Sequence, residues 1–445
     1  MKRRVRPLAV STKLVQREGM FRNHPVLLPV LLFSLSSFTT SLVADVDSSD
    51  AGKDWEKRKT RTVRPAKSAD ERSRFGGWAK HKVAKTGFFH LSQEGKKWWL
   101  VDPDGYLFLS IGVNSVQPKR VQSDDGELWS KETHQLLTET GFNSIGRWSS
   151  PQEFRAIDKE LPWCSTLGFM KNYAKERPSN RGESGFPQET IPVFDEEWPA
   201  FCERYAAEEV TEFVDNPFLI GHFSDNELPF RPDALGLYLS LPESDSGHQA
   251  ALAWMKENRV GKGRVDNPKA QAAFLEVVSK KYFETVASAL RKVDPNHLYI
   301  GSRIHGRCIS EPVLRGANAC DIVSINFYHS WEPDSSKTAD WTKWSDKPFL
   351  VGEFYAMKVT SKKTDADGAG FRVLKHEEAG EFYHTYTAAL LKKHPNCVGW
   401  HWFKYADDFD DYQKGVVSRY GVVHQPLVDA MKVLNDQAYS IRGTR

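Results

Sequence analysis

Short apolar runs alternate with longer amphipathic stretches from residue 107 to the C-terminus. The apolar runs are 107–112, 142–147, 163–167, 219–223, 298–302, 321–326, 348–353 and 397–402. They lack strict polar–apolar alternation, and their lengths suit strands buried on both faces. Apolar positions recur at helical spacing over 128–140, 196–214, 270–293, 377–393 and 427–436. Gly141 closes the first of these helices, and Asn216-Pro217 breaks the second before the next strand. Eight strands alternating with helices predict a parallel sheet, and over roughly 350 residues they fit a (β/α)8 TIM barrel with loop insertions. The longest insertion is 231–266, and the third strand, 163–167, is the most weakly marked. A doubly wound sheet is the alternative, but no Gly-rich phosphate loop follows the first strand. Upstream, 88–91 and 97–101 predict a short N-terminal β-hairpin, followed by a turn at Asp102-Pro103-Asp104-Gly105.

Two of the apolar runs lead into carboxylates. Leu219-Ile220-Gly221-His222-Phe223 continues into Ser224-Asp225-Asn226-Glu227, and Pro348-Phe349-Leu350-Val351-Gly352 ends in Glu353. In a parallel barrel the C-terminal strand ends share one face, so side chains from different strands converge there. An isolated glutamate is ordinarily a solvated loop residue. Two that each end an apolar strand place charge where burial without a partner is costly. Paired carboxyls about 5 Å apart cleave a glycosidic bond with retention, one as acid and one as nucleophile.

Composition narrows the alternatives. The chain has 445 residues, 40% hydrophobic and 27% charged, so it can bury a large core. Net charge is only +3, with basic residues concentrated near the N-terminus, which argues against a nucleic-acid surface on the folded part. The five cysteines are dispersed with no CxxC pair, as expected for buried free thiols. No His-x-His follows the first strand. The run Asp407-Asp408-Phe409-Asp410-Asp411 lacks EF-hand spacing and reads as a solvated loop at the cleft rim. No metal or cofactor is expected. Residues 1–44 read as an export signal, with basic residues before the apolar stretch 26–33 and with Met20 as an alternative start. That stretch is short for a membrane span. The expectation is a secreted or periplasmic protein with no membrane contact beyond this segment. Residues 45–85 read as a polar linker and 86–440 as the catalytic domain.

Asn226-Glu227 after the fourth strand, with Glu353 after the seventh, resembles clan A of the glycoside hydrolases. Trp98-Trp99-Leu100-Val101-Asp102-Pro103-Asp104-Gly105, Gly112-Val113-Asn114, Phe194-Asp195-Glu196-Glu197-Trp198 and Phe223-Ser224-Asp225-Asn226-Glu227 look like the β-agarase group, family 50 and its relatives. The resemblance spans residues 86 to 440. It implies a retaining β-glycoside hydrolase that cleaves a galactan-type polysaccharide or oligosaccharide by double displacement. Glu227 would be the general acid/base and Glu353 the nucleophile, with Asn226 on the sugar 2-hydroxyl. Arg147 would sit beside the nucleophile and favour its ionised form, with a structural ion pair as the competing reading. Tyr328 would donate its hydroxyl to Glu353, Trp402 would form the sugar platform, and Asn114 and His305 would line the pocket. For Tyr328 and Trp402 the competing reading is core packing. His222 and His401, inside strands, are expected to be hydrogen-bonded core residues. Two other functions stay open: a β-galactosidase-, β-glucanase- or β-mannanase-type hydrolase of the clan, and a non-catalytic carbohydrate-binding barrel.

Overall fold

The apolar runs form one curled sheet of nine short parallel strands in the computed structural model, which describes residues 69–121, 125–177, 186–360 and 368–444. The order across the sheet is Leu298–Gly301, Leu219–Phe223, Trp163–Thr166, Ser144–Ile145, Ser110–Val113, Cys397–Trp402, Phe349–Phe354, Val323–Asn326 and Ile304–His305. Its two end strands are separated in sequence only by Ser302-Arg303. One chain segment therefore pairs with Leu219–Phe223 on one side and with Val323–Asn326 on the other. Every residue of Leu219–Phe223, Phe349–Phe354 and Cys397–Trp402 is buried, which is why these runs show no alternation.

Two apolar clusters hold the sheet. The larger joins it to the surrounding helices. The smaller brings Ile220, Phe223, Ile300, Leu350 and Val398 together with Phe75, Phe89, Leu100 and Phe108 from the N-terminal segment. Those last residues flank or belong to the predicted hairpin, His90–Glu94 against Lys97–Val101, which Leu107–Phe108 extends to three strands. Each fully buried Phe, Leu or Ile contributes about 2 kcal/mol by removing apolar surface from water.

Packing starts upstream of the expected boundary. In the described part of the expected linker, 69–85, Phe75 and Trp78 are buried. Arg72 donates to the carbonyls of Gly141 (2.9 Å) and Asn435 (2.6 Å). The remainder of the linker, 45–68, and the expected export signal, 1–44, lie outside the described residues.

The long helices match their periodicity. Pro268–Val293 starts at Asn267, whose side chain accepts from the N–H groups of Lys269 and Ala270, and it buries Phe274, Val278, Tyr282, Val286 and Leu290. Gly126–Glu139 starts at Asp125, which accepts from the Leu128 N–H. The insertion 231–266 carries two helices, Ala234–Leu239 and Ser246–Glu257. A second small sheet, Phe371–Val373, Ala356–Val359 and Tyr412–Gln413, follows the strand that carries Glu353. The acidic run departs from expectation at its start: Asp407 is buried and accepts from the Gly415 N–H and from His424 Nε2, both at 2.6 Å. Residues 409–411 are exposed as expected. All five cysteines are free. Among the described residues, no helix is long and apolar enough to cross a membrane.

Candidate active site

Backbone strain gathers where the strands end. Among the described residues, ten non-glycine residues have positive φ. Five of them, Ser115, Trp148, Glu227, Arg303 and His329, stand within four residues past a strand of the central sheet. A left-handed backbone costs a side-chain-bearing residue on the order of 1–2 kcal/mol, so packing must hold these turns.

Glu353 lies within its strand and is only 5% exposed. Its Oε2 accepts from the Tyr328 hydroxyl at 2.5 Å, and its Oε1 pairs with Arg303 NH2 at 2.7 Å. Burial, with the Glu353 charge beside it, pushes the Tyr328 phenol well above its ordinary value, so the hydroxyl stays a donor. Arg303 is fully buried, and NH2 also donates to the Gly352 carbonyl at 2.8 Å. A Cβ on Gly352 would lie 2.8 Å from Asn326 Oδ1 and 3.0 Å from Arg303 Nε. Glycine at that position lets the guanidinium and the amide cross the strand just before the carboxylate.

Glu227 sits in a turn, and its side chain is 34% exposed. Its N–H donates to the Ser302 carbonyl (3.2 Å), and its Oε1 accepts from Asn326 Nδ2 (2.7 Å) and lies 4.0 Å from His305 Nδ1. The turn is fixed from beneath by Asp225. That carboxylate accepts from the Tyr282 hydroxyl (2.7 Å) and from the N–H groups of Met170 (2.9 Å) and Lys171 (3.1 Å). Burial pushes Asp225 up to about 6, although those donors and the Arg147 charge pull it down. The two glutamates share neighbours. Asn326, bonded to Glu227, is the register partner of Glu353, and the Phe327 N–H donates to the Glu353 carbonyl at 3.0 Å. The His305 ring meets Tyr328 edge-on at 5.6 Å. Around them lie buried polar atoms with no partner among the described residues: Asn226 Oδ1, Asn326 Oδ1, His305 Nε2, Ser302 Oγ, and Nε and NH1 of Arg303.

Of the residues expected from sequence, Glu227, Glu353, Tyr328, His305 and Asn226 are brought together. Three others are placed differently. Arg147 does not bond Glu353; it donates to the carbonyls of Asp225 (2.9 Å) and Leu167 (3.3 Å), so it braces the Glu227 turn, and burial lowers it to about 10. Arg303 takes its expected place as the cation on Glu353. Trp402 is no platform: it is fully buried, donates from Nε1 to the Lys414 carbonyl (2.8 Å), and packs on Phe354 and Tyr383. Its neighbour His401 faces the other way, to Ser110 Oγ at 2.8 Å. Asn114 is also fully buried and spends its amide on the Gly352 carbonyl (2.9 Å), which removes it from the pocket lining.

Sequence reasoning passed over Arg303, Asn326, Trp148 and Phe403. A lone arginine between Ser302 and Ile304 carried the same signal as the glutamates, a charge ending an apolar strand. Asn326, the last residue of its strand, carried it too. Trp148 and Phe403 are half-buried aromatics with ring centroids 6.0 Å apart. The Arg303 guanidinium lies 4.8 Å from the Trp148 ring, which ties this pair to Glu353.

One group among the described residues has metal-ligand spacing: His222, Asp294 and His297. Its ring nitrogens are all engaged. His222 meets Asp294 Oδ2 (2.9 Å) and Ser165 Oγ (2.8 Å), and His297 meets Asp294 Oδ2 (2.7 Å) and the Asn216 carbonyl (2.9 Å). This is a closed hydrogen-bond network, and His222 is the core histidine expected.

No family model matches the chain. It is 25% identical to β-agarase B and 24% identical to β-agarase A of Vibrio sp. (strain JT0107), over 83% and 74% of its own length. It spans half the length of the first and 38% of the second. Against the crystal structure of BpGH50 it is 26% identical with a TM-score of 0.73, covering 83% of this chain and 86% of that one. A solved exo-β-agarase shares the fold at a TM-score of 0.70 and 20% identity, covering 89% of this chain and 71% of the other. In sequence and in fold, this chain is similar to β-agarases and to a solved GH50 structure.

Proposed function

We propose that the chain is a retaining β-glycoside hydrolase that cleaves an agar-type galactan, with its curled sheet closed as a (β/α)8 barrel through the segment 298–305. What carries this reading is the asymmetry between the two carboxylates. Glu353 is buried between the Arg303 guanidinium and the Tyr328 hydroxyl, which together fix the direction of its two oxygens. Glu227 is half-exposed, with a neutral amide and an imidazole as neighbours. A buried carboxylate held at both oxygens suits a nucleophile, and an accessible carboxyl suits proton exchange with a leaving group and then with water.

Glu353 attacks the anomeric carbon while Glu227 protonates the departing glycosidic oxygen, leaving a glycosyl-enzyme ester. Glu227, now ionised, removes a proton from water, which attacks the same carbon and releases Glu353. Asn226, with its unpartnered Oδ1, faces the sugar hydroxyls next to the acid. Trp148 and Phe403 supply the aromatic wall expected of Trp402. The agarase relatives, of which the chain spans half or less, support the galactan assignment. Proton NMR of the first anomer released from agarose oligosaccharides tests the mechanism. The β-anomer is expected at early times, and first appearance of the α-anomer overturns Glu353 as nucleophile.

A further inference from the structure

Beside the catalytic pair stands a cation with no charge partner among the described residues. Lys414 directly follows the strand Tyr412–Gln413, and its backbone carbonyl is held by Trp402 Nε1. Its Nζ lies 4.8 Å from the Tyr355 ring centroid and 4.9 Å from that of Phe403. Tyr355 in turn meets Tyr328 edge-on at 5.4 Å, and Phe403 meets Trp148 at 6.0 Å. The ammonium thus belongs to the aromatic wall beside Glu353.

Among the described residues, nothing donates or accepts at Lys414 Nζ. The nearby acids are committed elsewhere: Asp408 to Lys404 (2.5 Å) and Arg120 (3.5 Å), and Asp407 to His424 (2.6 Å). Burial lowers the amine from its ordinary value; Asp408 and Glu353 draw it up and Lys404 pushes it down. Two aromatic faces offset part of the burial through cation–π attraction, typically about 1–2 kcal/mol. They supply no hydrogen-bond acceptor, and Lys414 is only half-buried, so its ammonium stays open to an acceptor from outside the chain. A structural lysine in this loop would be expected to pair as its neighbour Lys404 does.

We propose that Lys414 recognises an anionic substituent, a sulfate ester or a carboxylate, on the galactan unit that lies against the Phe403–Tyr355 wall. This rests on the hydrolase reading and adds charged galactans to its substrate class beside neutral agarose. The ammonium is a compact point charge with three rotatable donors, so it suits a tetrahedral sulfate as well as a planar carboxylate. Charge-assisted hydrogen bonds of this kind, desolvated on one side, discriminate by about 10- to 100-fold against the uncharged analogue.

The full chain and its Lys414→Met and Lys414→Arg variants are assayed on matched galacto-oligosaccharides: neutral, 6-O-sulfated and uronate-bearing. Wild type is expected to cleave at least one charged series with kcat/KM no lower than the neutral one. In Lys414→Met the charged-to-neutral ratio of kcat/KM should fall about 10-fold or more, mainly through KM, and Lys414→Arg should restore most of it. Whichever charged series moves identifies the substituent. Equal losses on charged and neutral substrates overturn the proposal, because Lys414 then serves hydroxyls or the fold. Wild-type cleavage of neutral substrate alone also overturns it and leaves the hydrolase reading standing. Cleavage of neither class overturns both.

Discussion

Two buried aspartates sit in hydrogen-bond clusters of opposite character. Asp294 lies in the loop that feeds the strand Leu298–Gly301, and every nitrogen of His222 and His297 around it has a partner. Asp225 lies past the end of Leu219–Phe223, beneath a turn whose upper side carries unpartnered polar atoms. Burial pushes both carboxyls up. At Asp294, hydrogen bonds from the two histidines more than offset it, and the group falls well below the ordinary carboxylate range. At Asp225, bonds from Tyr282, Met170 and Lys171 offset it only in part, and the group rises to about 6. A closed network whose donors all face inward belongs to stability. A cluster that leaves polar atoms without a partner among the described residues, on strained backbone, is what the proposed active site requires.

The strongest way to break this contrast is Glu353→Gln. It removes the charge from the open cluster while keeping its shape, so kcat on agarose oligosaccharides should fall by more than about 1,000-fold. The far-ultraviolet circular dichroism should be unchanged. Turnover within tenfold of wild type would make that cluster structural. The converse variant, Asp294→Asn, should leave turnover per folded molecule unaltered and lower unfolding free energy at pH 7 by about 3 kcal/mol, read from urea titration. The sign follows from the depressed carboxyl, whose stabilisation is present above the unfolded value near 4 and is lost as pH falls below it. The wild-type and variant stabilities should therefore converge in acid. Lost turnover with unchanged stability would move the Asp294 cluster from structure to function.

What the sequence discloses follows the same division. Glu227 and Glu353 were legible because charge at the end of an apolar strand is improbable without a task. Pro268–Val293 and Gly126–Glu139 were legible because periodicity and capping residues agree along them. Trp402 was not, because the strand Cys397–Trp402 is buried on both faces, and its pattern does not say which parity faces the cleft. His401 takes one face, so Trp402 takes the helix side and Phe403 becomes the aromatic at the mouth. Arg303 was hidden by the break at Gly301-Ser302, which divides one run into Leu298–Gly301 and Ile304–His305. A guanidinium can also reach any of several neighbours, so position on a strand alone did not decide between Arg147 and Arg303 as the partner of Glu353. The helices of the insertion 231–266 were obscured by its Pro, Ser and Gly content.

The finest discrimination between the two clusters comes from Asp225→Asn measured against pH. A carboxyl raised to about 6 in the fold binds its proton more tightly there than in the unfolded chain. Its stabilising contribution is therefore complete below the unfolded value near 4 and lost as pH rises through about 6, opposite in direction to Asp294. An asparagine does not titrate. Between pH 4 and pH 7 the stability of Asp225→Asn should accordingly improve relative to wild type by about 2 kcal/mol, whatever fixed loss the substitution brings at all pH values. The asparagine amide also meets three donors where the carboxylate accepted from all of them. The Glu227 turn should loosen, and kcat should fall about 10-fold through the acid step. A stability difference that stays flat from pH 4 to pH 7 would mean that Asp225 ionises in the fold as easily as in the unfolded chain. The donors beneath the Glu227 turn would then offset its burial in full, and the open character of the site would begin only above Asp225, at Asn226 and Glu227.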